Sequence, residues 1–114
     1  MLACLTTVAG VGILANMDAI LVMDRKTIDA SGHITQIVVW EVPEPIEGSS
    51  HRYKYRCYFG RDGRRIVGYD NERGKGDHRH LGTREFAYDF RDIPTLVADF
   101  LKDVNEWLSK QNAR

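Results

Sequence analysis

The chain has 114 residues, 43% of them hydrophobic, which suits a single globular domain. Its formal net charge is zero, but residues 51–84 hold ten Lys and Arg against four Asp and Glu, while the rest of the chain holds six against twelve. The middle of the chain is therefore expected to face something anionic, and the acidic flanks to face solvent or a basic partner. The two cysteines, Cys4 and Cys57, exclude a disulfide framework and a cysteine-based metal site, and they favour a reducing cytoplasm.

Residues 1–16 are uncharged and largely apolar. They lack the positive n-region of a secretory signal, and Asp18 interrupts the apolar run before the roughly 20 residues that a membrane span needs. Clear patterning begins at Met17. We therefore expect residues 1–16 to be an extension outside the fold, residues 17–114 to form one domain, and the protein not to associate with a membrane. The alternatives are that the extension packs as a helix or strand of the fold, or that it is a targeting segment.

Five segments have the composition of strands: residues 19–28, 33–42, 52–59, 64–70 and 85–90. Asp92 then resembles a helix N-cap with Pro94 in the first turn, and an apolar stripe at helical spacing continues to Leu108. Asp103 is assigned to the solvated side of this helix. The fold class that this order predicts is α+β, with an antiparallel four- to five-stranded β-meander and a C-terminal helix packed on one face.

Residues 52–59 alternate strictly, so one face of this strand is basic and the other aromatic. Asp62-Gly63 predicts a two-residue type I′ hairpin, which sets the register with the next strand. The expected pairs on the aromatic side are Phe59 with Ile66, Cys57 with Gly68 and Tyr55 with Asp70. On the basic side they are Tyr58 with Val67, Arg56 with Tyr69 and Lys54 with Asn71. The second set predicts a cationic surface that also carries tyrosines.

Residues 68–80, GYDNERGKGDHRH, combine three glycines with acidic, basic and imidazole side chains. We interpret the segment as a loop that presents a functional site, since functional residues concentrate on loops held by rigid scaffolds. The candidate catalytic residues are His78, His80, Asp70 and Lys75. The candidate RNA-binding residues are Lys54, Arg56, Tyr69, Asn71, Arg73 and Arg79. No cofactor and no bound metal is expected.

Three chemistries fit these residues. Imidazole titrates near neutrality, so His78 and His80 could act as general acid and base on a phosphodiester, with Asp70 or Asp77 orienting one of them. Alternatively, the two histidines could bind a divalent metal together with one of these aspartates. A third possibility is a nucleic-acid-binding surface without catalysis, built from cations and tyrosines. The paired histidines favour the first reading, because phosphate binding alone needs only lysine and arginine.

Several other residues are expected to have no catalytic role. His33 and His51 are interpreted as ordinary surface histidines. Trp40 is assigned to the core, as are Tyr53, Tyr55 and Phe59, which share the aromatic face. Cys57 is interpreted as a small buried residue.

Three stretches resemble the TumE-like toxin family: WEVPEPIEGSSHRYKYR at residues 40–56, VGYDNERGKGDHRH at 67–80 and DFLKDV at 99–104. The resemblance implies a small cytoplasmic growth inhibitor, paired with a helix-turn-helix antitoxin and suspected to be a nuclease; it transfers no catalytic residues. Together with the residues above, it predicts a toxin that cleaves RNA without a metal. A non-catalytic binding module and a metal-dependent nuclease are the alternatives, and the sequence leaves homo-oligomerisation open.

Overall fold

A computed structural model describes residues 18–112, so the expected extension at 1–16 lies outside the described residues. Within that range the chain forms six strands and one helix. They are β1 (Ile20–Ile28), β2 (Ile34–Glu41), β3 (Tyr53–Arg61), β4 (Arg64–Glu72), β5 (Gly76–Leu81), β6 (Arg84–Ala87) and α1 (Ile93–Asn112). Residues 18–112 include no helix that is long and apolar enough to span a membrane.

The six strands form a single antiparallel meander, with each strand hydrogen-bonded to its neighbours in chain order. The α+β prediction is confirmed, with one or two more strands than expected. The additional strand comes from residues 68–80, whose assignment as a loop is wrong. Gly74 and Gly76 adopt positive φ angles of 82° and 79°, so the chain turns tightly and returns as β5. Both histidines of this segment therefore lie on a strand.

The β3–β4 hairpin contains an irregularity that the sequence pattern did not reveal. Asp62 and Gly63 adopt φ angles of 54° and 78°, as a type I′ turn requires. However, Gly60 pairs with Arg65 while Phe59 pairs with Val67, so Ile66 is an extra residue in β4. Such a bulge shifts the register by one residue, and each shift of one exchanges the two faces of a strand.

The predicted pairs beyond the turn are therefore wrong by one residue. Cys57 pairs with Tyr69 instead of Gly68, and Arg56 pairs with Asp70 instead of Tyr69. We call the side of the sheet that packs on α1 the covered face and the other side the open face. Tyr69 lies on the covered face, and Asp70 lies on the open face beside Arg56.

The core lies between the covered face and α1, which packs against β3 and β4. Leu96, Phe100 and Val104 of the helix pack with buried strand residues that include Tyr55, Cys57, Phe59, Val67 and Tyr69. Burying each large apolar side chain contributes about 1.5–3 kcal/mol. The Thr95 N–H donates to Asp92 Oδ1 at 2.8 Å, which confirms Asp92 as the N-cap of α1.

Two assignments about the core are wrong. Trp40 is 39% exposed, because it lies on the open face opposite Lys54 rather than under the helix. Asp103 is only 6% exposed, although it was assigned to the solvated side of α1. Its carboxylate accepts hydrogen bonds from Arg79 Nε (2.8 Å) and Nη2 (2.9 Å) and from the Tyr69 hydroxyl (2.6 Å). These three bonds attach the helix to β4 and β5.

The charge of this buried bridge is stabilised by its hydrogen bonds. Burial alone would raise the pKa of Asp103, but hydrogen bonds from Arg79 and Tyr69 hold it below the ordinary value. The pKa of the Arg79 guanidinium is raised, chiefly by its hydrogen bonds to Asp103. Both side chains are therefore charged at neutral pH, and together they form a structural ion pair.

Candidate functional site

The open face brings together side chains from three neighbouring strands. β4 supplies Arg65 and Asp70, β5 supplies His78 and His80, and β6 supplies Glu85; we call these five residues the histidine cluster. In the sheet, His78 pairs with Asp70, and His80 pairs with Glu85. The ring centroids of the two histidines lie 6.4 Å apart. Alternation along β5 places both imidazoles on the same side of the sheet, as an extended His-x-His segment requires.

His80 is held at both ring nitrogens. Its Nε2 lies 3.3 Å from Asp70 Oδ1, and its Nδ1 lies 3.1 Å from Arg65 Nη2. Because a guanidinium can only donate, Nδ1 of His80 is the acceptor and its Nε2–H donates to Asp70. This assigns one neutral tautomer to His80. Asp70, which was expected to orient an imidazole, lies in position to orient this one.

Arg65 reaches His80 because Gly68 has no side chain. A Cβ at Gly68 would lie 2.6 Å from Arg65 Cδ, which is closer than real Cβ contacts allow. The arginine side chain therefore crosses β4 over the glycine. Sequence reasoning did not select Arg65, since the contact depends on the bulge at Ile66.

His78 is the less constrained of the two histidines. Its Nε2 lies 3.5 Å from Glu85 Oε2, and the Glu85 side chain is 52% exposed. Glu85 was also missed, although the sequence contained a usable signal. Gly82-Thr83 connects β5 to β6 as a two-residue turn, and counting outward from that turn places Glu85 opposite His80.

The two cations of β3 that were predicted to bind RNA, Lys54 and Arg56, differ in availability. Lys54 donates to the main-chain oxygen of Asn71, and burial lowers the pKa of its ammonium while the nearby carboxylates of Asp70 and Glu72 oppose that shift. Arg56 is exposed, and its guanidinium lies 5.0 Å from the centroid of the Tyr58 ring. Arg56 is therefore the cation of β3 that is free to contact a ligand on the open face.

The remaining predicted residues do not join the cluster. Tyr69 and Asn71 are 2% and 0% exposed, so the expectation that they contact RNA is corrected; the register shift places them on the covered face. Arg79 is bound to Asp103 in the bridge described above. Arg73 and Lys75 lie exposed in the β4–β5 turn, where Lys75 Nζ lies 3.9 Å from Glu72 Oε1.

Asp77 belongs to a separate network, on the covered face. His51 Nδ1 accepts from the Tyr53 N–H (3.1 Å), so its Nε2–H donates to Asp77 Oδ2 (2.7 Å). The hydroxyls of Tyr55 (2.7 Å) and Ser49 (2.5 Å) donate to the same carboxylate. This network fixes the β2–β3 loop to β5, which is a structural role.

Neither His51 nor His33 is the surface residue that the sequence suggested. The His51 ring packs on Phe90 with centroids 3.9 Å apart, and the His51 side chain is 14% exposed. His33 is 7% exposed and stacks on Phe59 with centroids 5.1 Å apart. Tertiary packing decided both positions, and nothing in their local sequence indicated it.

The metal-binding alternative requires at least three ligand side chains close together. In that part of the chain, no three His, Cys, Asp or Glu side chains are arranged so that they could hold a metal ion. Asp77 is separated from His78 and His80 by the sheet, because adjacent residues on β5 point to opposite faces. The metal set that was considered from Asp77 with the two histidines is therefore not assembled.

Comparison with known families gives a match over most of the chain. The family model described as Toxin TumE matches residues 17–108, a range that includes all six strands and most of α1. No curated protein and no solved structure matches the sequence. The matched range begins at Met17, where clear patterning of the sequence begins.

Proposed function

We propose that this chain cleaves RNA, with His78 and His80 as general acid and base. The chain belongs to the Toxin TumE family and is a toxin, and RNA cleavage would be the basis of its toxicity. The observation that carries the proposal is the pair of imidazoles on the open face, next to Asp70 and Arg65. The His78 and His80 side chains are 19% and 13% exposed, and within residues 18–112 they lie on the face of the sheet opposite α1, so packing of the helix core does not account for them. A helix-turn-helix antitoxin as partner and a cytoplasmic location belong to the same proposal.

The proposed reaction needs only proton transfers from the protein. One imidazole removes the proton from a ribose 2′-hydroxyl as that oxygen bonds to the adjacent phosphorus. The other imidazole donates a proton to the leaving 5′-oxygen as the P–O5′ bond breaks. The products are a 2′,3′-cyclic phosphate and a 5′-hydroxyl, and each positioned acid or base contributes about 10²- to 10⁴-fold to the rate.

The arrangement supports different roles for the surrounding residues. With ring centroids 6.4 Å apart, both imidazoles can reach one phosphate group placed above the sheet. Asp70 positions His80, while Arg65 and Arg56 supply positive charge for the phosphate oxygens as negative charge develops. Arg65 would have to release His80 Nδ1 in part when it turns toward a phosphate, which frees that nitrogen for proton transfer.

A non-catalytic RNA-binding toxin is the second candidate, and a specific observation favours it. Both ring nitrogens of His80 already have partners within the protein, as a structural histidine would. Trp40 and Tyr58 lie on the open face beside Lys54 and Arg56, and aromatic rings among cations suit the stacking of single-stranded bases.

One assay separates these functions. Purified protein is incubated with end-labelled RNA in EDTA, and the fragments are analysed for 2′,3′-cyclic phosphate ends. Cleavage in EDTA with such ends supports the proposal. A gel shift without fragments supports the binding toxin, and cleavage that requires added metal contradicts the metal-free mechanism. The His78→Ala variant, purified in parallel, controls for contaminating nuclease.

A further inference from the structure

A second cationic feature lies on the covered side of the sheet and shares Arg65 with the histidine cluster. A half-open cavity of about 630 Å³ lies between the β3–β4 turn, the β5–β6 turn and the last turns of α1. Its volume falls in the range of about 300–1,000 Å³ that is typical of small-molecule sites. Six cationic side chains line it: Arg61, Arg64, Arg65, Arg79, Arg84 and Lys110.

The carboxylates of the cavity wall do not neutralise this set. Each already has a cationic neighbour: Asp103 has Arg79 (2.8 Å), Asp62 has Arg61 (3.7 Å) and Glu106 has Lys102 (3.3 Å). Among residues 18–112, Arg64, Arg84 and Lys110 have no carboxylate partner. Three exposed cations that line one half-open cavity give it a positive potential, so an anion bound there would be stabilised.

The cavity also has a fixed aromatic wall. Trp107 lines it, and the Trp107 ring packs edge-on against Phe59 and His33 at centroid distances of 5.7 Å and 5.4 Å. A half-buried ring held in this way presents a rigid apolar surface at little entropic cost. Arginine side chains bind phosphate groups, and a tryptophan ring stacks on a nucleobase, so the lining of the cavity suits a ligand that carries both.

We propose that this cavity binds a nucleotide, with Arg64 and Arg84 contacting the phosphate and Trp107 contacting the base. The ligand is either a mononucleotide or the 5′-phosphorylated end of an RNA strand, and the RNA case rests on the function proposed above. Arg65 connects the two sites, because it lines the cavity and also contacts His80. An RNA end held in the cavity would thus be anchored close to the histidine cluster.

Calorimetric titration of the full chain with AMP and with adenosine tests the assignment. AMP should bind at least about tenfold more tightly than adenosine, since hydrogen bonds to charged groups are the stronger ones. The Arg64→Ala/Arg84→Ala double variant should lose at least about tenfold in AMP affinity. The matched control is Arg25→Ala, which removes an exposed arginine from β1 outside the cavity and should leave the affinity unchanged.

Three results would overturn the proposal: no saturable binding of AMP, equal affinity for AMP and adenosine, or unchanged AMP affinity in the double variant. Arg64 and Arg84 are exposed, so the double variant should melt like the wild type. If it does not fold, the comparison of AMP with adenosine on the wild-type protein still decides the matter.

Competition experiments distinguish a mononucleotide from an RNA 5′ end as the ligand. The choice of variants distinguishes the nucleotide-binding cavity from the proposed RNA cleavage. Competition with AMP by a 5′-phosphorylated oligoribonucleotide, but not by its 5′-hydroxyl form, supports the RNA end as ligand. Competition by neither supports a mononucleotide. The His78→Ala variant should bind AMP like the wild type. Loss of AMP binding to the double variant therefore tests the cavity, whereas loss of RNA cleavage in the histidine variant tests the proposed function.

Discussion

Replacing Asp103 with asparagine should destabilise the fold more than any surface change on the same helix. The Asp103 side chain is 6% exposed and accepts three hydrogen bonds, from two Arg79 nitrogens and the Tyr69 hydroxyl. Breaking a fully buried ion pair costs about 3–5 kcal/mol, but the Arg79 side chain is 33% exposed and water screens part of its charge. We therefore expect a loss of about 2–3 kcal/mol in the free energy of unfolding.

The contribution of Asp103 should also depend on pH. Its pKa in the folded protein is lowered, so between that value and the unfolded value of about 3.9 the folded state binds fewer protons than the unfolded state. The contribution of Asp103 to the free energy of unfolding is therefore fully present above about pH 4, and it is lost as the pH falls through the pKa that Asp103 has in the folded protein. The difference in the free energy of unfolding between the wild type and Asp103→Asn should therefore decrease over the same pH interval.

Urea denaturation at pH 7 and at pH 3 measures both effects. Glu106→Gln is the matched control, because Glu106 is an exposed carboxylate on the same helix, paired only with Lys102, and its removal should change stability by at most about 0.5 kcal/mol. If Asp103→Asn behaves like Glu106→Gln at pH 7, the bridge does not hold the helix. A difference that stays constant down to pH 3 would contradict the pKa argument.

Three further outcomes follow from the same geometry. Gly68→Ala should displace Arg65 and reduce RNA cleavage while the melting temperature changes little, and unchanged cleavage would show that the contact from Arg65 is dispensable. Arg56→Ala should weaken RNA binding and reduce the slope of log affinity against log salt by about 0.7 per lost phosphate contact, whereas an unchanged slope would remove Arg56 from the interface. Burial raises the pKa of the Cys57 thiol to about 12, so in a Cys4→Ser background the folded protein should resist alkylation at pH 8, and rapid labelling would contradict this burial.

The sequence was sufficient for the order of most elements because their signals are local. Alternation in residues 52–59 separated the basic from the aromatic side, and Asp62-Gly63 located the hairpin turn. Asp92 and the apolar stripe that follows located the helix. The segment with His78 and His80 was interpreted as a loop; once it is a strand, alternation along β5 places both imidazoles on one side.

The remaining errors arise from interactions between segments distant in sequence. No local signal marks the extra residue at Ile66, yet it exchanges the faces of β4 and moves Tyr69 and Asn71 away from the open face. The pairing of Arg79 with Asp103 and of His51 with Asp77 joins residues 24 and 26 positions apart. A mixture of charged and imidazole side chains is typical of a binding loop. Here the mixture arises because adjacent residues of β5 point to opposite faces, with Asp77 on the covered face and His78 on the open face.

The central claim is that His78 and His80 act together on RNA, and its most direct test is the single-turnover cleavage rate of His78→Ala, His80→Ala and the double variant. We expect each single substitution to remove most of the activity while the protein stays folded. The double variant should be little slower than either single variant, because residues that act as one catalytic unit are strongly non-additive. Folded variants that cleave at the wild-type rate would contradict the proposal.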